Sequence, residues 1–212
     1  MDKKKISALI GVVATVALVG GAFAYFSGTA EQKQNAFSVV AGEQDEDGAI
    51  EIDEPGWVPE DAEDLEPGQI VTKDPSVKSN VDYDGWIIVK VTSPKIEASM
   101  TKDGAASKLE AFDYLGLSSD YELLKTEDGD DAVVYYYGYK NILTAGGQTS
   151  ALFNKIQLKD FARIDAAQEG SVDVDAAIVQ KINPSSGAEF ENVGAAFTAL
   201  GSSFTAGDAN LQ

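Results

Sequence analysis

Residues 86–92 read WIIVKVT, and this stretch decides the fold. Side chains alternate across a strand, so Ile87, Val89 and Val91 share one face while Trp86, Ile88 and Lys90 share the other. The neighbouring segments read the same way. Downstream, residues 121–126 and 132–139 flank Glu127-Asp128-Gly129-Asp130-Asp131, and Asp-Gly between two such runs signals a hairpin. Residues 152–158 form a further strand after the Gly146-Gly147 turn. Residues 172–182 form a long one, with Asp173 and Asp175 opposite Val172 and Val174. Upstream lie short strands over 49–53, 69–73 and 76–80, the last two separated by Asp74-Pro75. Two helices are expected, near 105–115 and over 189–204, where Phe190, Val193, Phe197, Leu200 and Phe204 recur at helical spacing around Gly194 and Gly201. Many short strands separated by turns predict an all-β chain, a jelly-roll-like two-sheet β-sandwich with one or two short helices.

Composition narrows the chemistry. The chain of 212 residues carries 16 Lys+Arg against 35 Asp+Glu, a net charge of -19, which argues against nucleic acid as a partner because phosphate binding needs an excess of cations. Absence of Cys removes disulfides, thiolate metal sites and cysteine nucleophiles. Absence of His removes Ser-His-Asp chemistry, His-ligated zinc and the commonest general base. Nor is there a G-x-S-x-G elbow. The expectation is a protein that is not an enzyme and has no cofactor.

The N-terminus speaks to location. Lys3, Lys4 and Lys5 precede an uncharged apolar run over 6–24 that closes Ala22-Phe23-Ala24, the parts of a secretory signal peptide. Signal cleavage is expected at Ala22, Ala24 and Tyr25, giving a signal peptide over 1–24, an N-terminal segment over 25–42 and a sandwich domain over 43–212. A retained anchor is the alternative, since 19 apolar residues can span a bilayer. Either way the membrane is met only through the N-terminal segment before cleavage, signal peptidase is the partner in export, and the domain lies outside the cell.

Three clusters invite a ligand reading. Residues 43–54, EQDEDGAIEIDE, place Glu43, Asp45, Asp47 and Glu54 at calcium-loop positions 1, 3, 5 and 12, with Gly48 at 6. However, Pro55 blocks a following helix, no amphipathic helix precedes, and so acidic a stretch also reads as a solvated loop. Asp128, Asp130 and Asp131 read more simply as a polar turn than as a cation site. Tyr135, Tyr137 and Tyr139 share one strand face, as a sugar-binding platform would require, and cross-strand packing explains them as well.

An ordered set of motifs carries a family resemblance. Gly20-Gly21-Ala22-Phe23-Ala24-Tyr25-Phe26-Ser27 and Asn35-Ala36-Phe37 come first. Glu54-Pro55-Gly56-Trp57, Leu65-Glu66-Pro67-Gly68-Gln69, Lys73-Asp74-Pro75-Ser76-Val77 and Asn80 then lead into the strand at Trp86. Tyr135-Tyr136-Tyr137, Leu143, Thr149, Leu152-Phe153 and the strand beginning at Val172 follow. This set resembles the TasA and camelysin (CalY) family of Gram-positive bacteria, exported through the SipW-type signal peptidase. The resemblance implies a secreted jelly-roll subunit that self-associates into fibres of the extracellular biofilm matrix, the N-terminal segment of one subunit completing the sheet of the next. An open sheet edge has unpaired N–H and C=O groups that an extended segment can satisfy, and Phe26, Phe37 and Val39 would anchor it. A cell-surface or membrane-tethered binding module is the alternative. The peptidase activity ascribed to camelysin-like proteins is disfavoured, because a zinc peptidase needs tight ligands and this chain has no His. The mature protein is expected to begin at Tyr25. Mass spectrometry of its N-terminus checks this, and an intact 1–24 segment on membrane-bound protein would establish the anchor instead.

Overall fold

The computed structural model describes residues 49–164, 170–183 and 187–201, together with the backbone of Ser27–Thr29 and Lys33–Ala36. Its centre is strand β6, Gly85–Ser99. The first half of β6 pairs antiparallel with β10 (Ala132–Tyr139) on one side and β13 (Ser171–Gln180) on the other. Beyond β10 lies β9 (Tyr121–Asp128); beyond β13 lie β1 (Ser27–Thr29) and β2 (Lys33–Ala36). The far half of β6 pairs with β7 (Ser107–Glu110) and β12 (Arg163–Ile164), completing an eight-stranded sheet.

The facing layer has two pieces: β4 (Ile70–Thr72), β11 (Lys155–Leu158) and β8 (Phe112–Leu115) in the order β4-β11-β8, and the pair β3 (Ile50–Asp53) and β5 (Ser76–Ser79). Ile87, Val89 and Val91 of β6 and Val172, Val174 and Ile178 of β13 meet Ile52, Val77, Phe112 and Ile156 of this layer in one core. Each such side chain contributes about 1.5–3 kcal/mol when fully buried. The chain is therefore the expected all-β sandwich.

The other face of the large sheet is also covered. Trp86 and Ile88 form a second cluster with Tyr136, Ala177 and Val179 under helix α1, Val193–Leu200. The alternation read from WIIVKVT is thus a division between two cores. Asn192 starts α1 by accepting the Ala195 N–H at 2.9 Å, and Gly201, at φ 57°, ends it. Gly138 on β10 lets the helix settle: a Cβ there would stand 2.7 Å from both methyl groups of Val193 and 2.9 Å from Leu124 Cδ1.

Four expectations need correction. The strand read over 86–92 continues to Ser99, because its far half is held by β7 and β12. Residues 105–115 are not a helix but β7 and β8, joined at buried Ala111. Ala, Lys, Leu and Glu favour a helix intrinsically, but pairing overrides that weak preference. The Ala111 N–H donates to Pro94 O and the Lys159 N–H donates to Ala111 O, both at 2.9 Å, tying the joint to both layers. The strand expected over 152–158 starts only at Lys155, because Leu152 and Phe153 turn wholly into the core. Of the helix expected over 189–204, Val193–Leu200 forms, and Phe204 lies outside the described residues.

Gly138→Ala is expected to destabilise the domain by about 1–3 kcal/mol through overpacking against α1. Adding Val193→Ala should recover part of that loss, so that urea unfolding of the double variant shows less than the sum of the two single effects.

Candidate assembly interface

The two long edges of the large sheet differ. At the β9 edge, Glu122, Lys125, Glu127 and Asp128 lie along an eight-residue strand, and the pairing with β10 shifts by one residue between Tyr136 and Tyr137. Charges and a bulge both discourage addition of another strand. At the other edge β13 is regular over ten residues, held to β6 from Asp173–Thr92 through Gln180–Gly85. Its outer side is taken by two short ladders. Ser27, Gly28 and Thr29 pair with Val179, Ile178 and Ala177, and Lys33 to Ala36 pair with Val174 to Ser171. The register shifts by one residue between them.

The composition of these ladders matters. Ser-Gly-Thr and Lys-Gln-Asn-Ala contain no large apolar residue and only one strong strand former, Thr29. By contrast, the inner ladder of β13 aligns Val174 with Val91 and Ile178 with Ile87. The outer ladders therefore rest mainly on backbone hydrogen bonds, each worth about 0.5–1.5 kcal/mol net. Sequence reading did not find this pairing within one chain, because the segment has no strand periodicity. Of the residues marked for cleavage and anchoring, Ala22, Ala24, Tyr25, Phe26, Phe37 and Val39 lie outside the described residues.

The tyrosine face is closed by packing. Tyr114 meets Tyr135 edge-on at 6.0 Å and Phe153 at 4.8 Å, while Tyr121 and Tyr139 lie 5.1 Å apart. Tyr137 is buried in the main core and Tyr136 is packed on Phe197 at 5.4 Å across the sheet. The Tyr135 hydroxyl donates to Glu110 Oε1 at 2.9 Å, and Lys159 Nζ reaches Glu110 Oε2 at the same distance. The Tyr121 hydroxyl lies 2.8 Å from Thr149 Oγ1, which accepts the Val77 N–H at 2.9 Å. Burial, the largest influence in each case, pushes the phenols of Tyr114, Tyr121 and Tyr135 well above their ordinary range.

The acidic clusters are engaged elsewhere. Glu43, Asp45 and Asp47 lie outside the described residues. Glu54 turns inward to Lys73, Oε1 to Nζ 2.8 Å, with the two side chains 3% and 0% exposed. The Trp57 ring lies 5.0 Å from the same ammonium. Nothing in the sequence marks Lys73 as buried, since a lysine closing a strand usually reaches water. In the hairpin turn, Asp128 and Asp131 form ion pairs with Lys95 and Lys108. Among the described residues no helix is long and apolar enough to cross a membrane, and no group of three or more His, Cys, Asp or Glu could hold a metal ion. Comparisons with family models, curated proteins and solved structures found no match.

The tyrosine packing sets an alkaline limit on stability. Phenols whose values in the folded state exceed the unfolded value of about 10 bind their protons more tightly when folded. Their contribution is complete below that pH and is lost as pH rises through the folded-state values. Absorbance titration of the eight tyrosines should therefore leave several un-ionised above pH ~10 until circular dichroism reports unfolding. Ionisation of all eight with native structure retained would contradict the packing.

Proposed function

We propose that the protein is an exported structural subunit, without catalytic activity, that polymerises outside the cell by exchanging its N-terminal segment at the β13 edge. The observation that carries this reading is the pairing of Ser27–Thr29 and Lys33–Ala36 with β13. A ladder made chiefly by backbone groups is nearly indifferent to which copy of the chain supplies it. Release of the segment from its own β13 exposes a regular ten-residue edge, and the same segment of a neighbour satisfies it with the same hydrogen bonds. The blunted β9 edge leaves β13 as the favoured end for addition. Order in the motif series supports the TasA and camelysin-like assignment, which makes the product an extracellular matrix fibre and the site of action the cell surface or beyond.

Because the chain has no Cys, disulfide trapping has no background. Ala36 faces Ser171 in the ladder, so single variants Ala36→Cys and Ser171→Cys are mixed and oxidised. A disulfide-linked dimer containing one of each is expected, formed under conditions where electron microscopy shows fibres. The double variant provides the control. Efficient closure within one chain, with no linked dimer from the mixture, would make the segment a permanent strand of its own domain and end the exchange reading.

A further inference from the structure

A fully buried lysine against a buried carboxylate is rare in a folded domain, and here the backbone on both sides fixes the pair. Glu54 directly follows β3 and Lys73 directly follows β4, so each side chain springs from the rigid end of a strand. The Lys73 N–H donates to Asn154 O at 3.2 Å, fixing its backbone against the facing strand region. On the other side the Trp57 N–H donates to Glu54 O at 3.1 Å, and Asp74 Oδ1 accepts the Gly56 N–H at 2.9 Å. That turn admits no side chain at Gly56, where a Cβ would stand 2.7 Å from Thr72 Cγ2 and 2.9 Å from Asp74 Oδ2. It brings the Trp57 ring over the ammonium. Nζ and Oε1 are then 2.8 Å apart, away from water.

We infer that Lys73 and Glu54 condense into an intramolecular isopeptide bond. Desolvation disfavours two full charges, and proton transfer from the ammonium to the carboxylate gives a neutral amine and a neutral acid. The amine lone pair attacks Glu54 Cδ and a C–N bond forms. The C–OH bond breaks, and the hydroxyl leaves with a proton from nitrogen as one water. No oxidant, metal or cofactor is consumed. Fixed neighbours of this kind react with effective molarities of about 10⁵–10⁸ M, which is what drives an otherwise sluggish condensation. The product amide is uncharged and no longer bears the desolvation cost of the ion pair. It closes the loop between β3 and β4 and joins the two pieces of the facing layer, β3–β5 and β4–β11–β8, doing for this Cys-free chain what a disulfide does elsewhere.

Mass spectrometry of the purified, folded protein tests this directly. The intact mass is expected to be lower than the sequence mass by one water. Trypsin should fail to cut after Lys73, giving a single peptide over residues 34–78, also lighter by one water. Lys73→Arg retains the positive charge but lacks a nucleophilic amine, so the folded variant should have the full mass. A full-mass wild-type protein cleaved normally at Lys73 overturns the inference. So does a water loss that survives in Lys73→Arg, or one that leaves cleavage at Lys73 intact, because either places the dehydration elsewhere, for example at an Asp-Gly succinimide.

Discussion

Over Gly85–Val91, strand β6 has almost no face to give to water. Ile87, Val89 and Val91 are buried toward one layer, and Trp86, Ile88 and Lys90 are buried on the other side. A strand buried on both faces must also be paired along both edges, because its N–H and C=O groups have no solvent to turn to. The β10 and β13 ladders meet that demand, and both flanking strands inherit the two-sided burial. The facing layer and helix α1 then follow as the two covers the sheet requires. With one cover missing, the domain would expose a contiguous apolar surface of the kind soluble monomers rarely carry.

This constraint explains what the sequence disclosed. In the first half of β6, in β10 and in β13, pattern and structure agree closely, and even the opposition of Asp173 and Asp175 to Val172 and Val174 is legible; the continuation of β6 from Ser93 to Ser99 was not, because it rests on pairing with the distant β7 and β12. The Asp128-Gly129 hairpin is legible because turn chemistry is local. Residues 107–115 mislead because their helix-forming composition is local information, whereas their pairing with β6 and β11 comes from distant parts of the chain. The candidate interface was legible only as a position. Its residues are identifiable as an uncommitted segment, but its register against β13 is set by backbone groups that every residue shares. The Lys73–Glu54 pair was invisible for a related reason: its burial arises from the meeting of β3, β4 and the Trp57 turn, none of which has a sequence signature for it.

The edges of the large sheet have opposite characters, and the difference follows from what each can tolerate. The β9 edge carries charges and a bulge, and it tolerates irregularity because few of its side chains pack inward, Tyr121 into the main core and Leu124 beneath α1. The β13 edge cannot be irregular, since any bulge would displace Val174 and Ile178 from the main core or Ala177 and Val179 from beneath α1. The strand least able to protect itself by distortion is thus the one covered by a separate segment.

Charge then bears on what can occupy that edge. The chain carries a net charge of -19, so two copies repel as they approach to within a Debye length, about 8 Å at physiological ionic strength. An interface between broad acidic surfaces would have to overcome that repulsion over its whole area. Residues 25–42 differ from the rest: they contain one acidic residue, Glu31, and one basic residue, Lys33, and are neutral overall. In the proposed exchange, a segment that is neutral overall would meet the β13 edge of another copy without adding to the repulsion between the two acidic bodies. Under the proposed exchange the joint is a strand whose short-range backbone hydrogen bonds are insensitive to net charge, so the acidity that opposes face-to-face association does not oppose it.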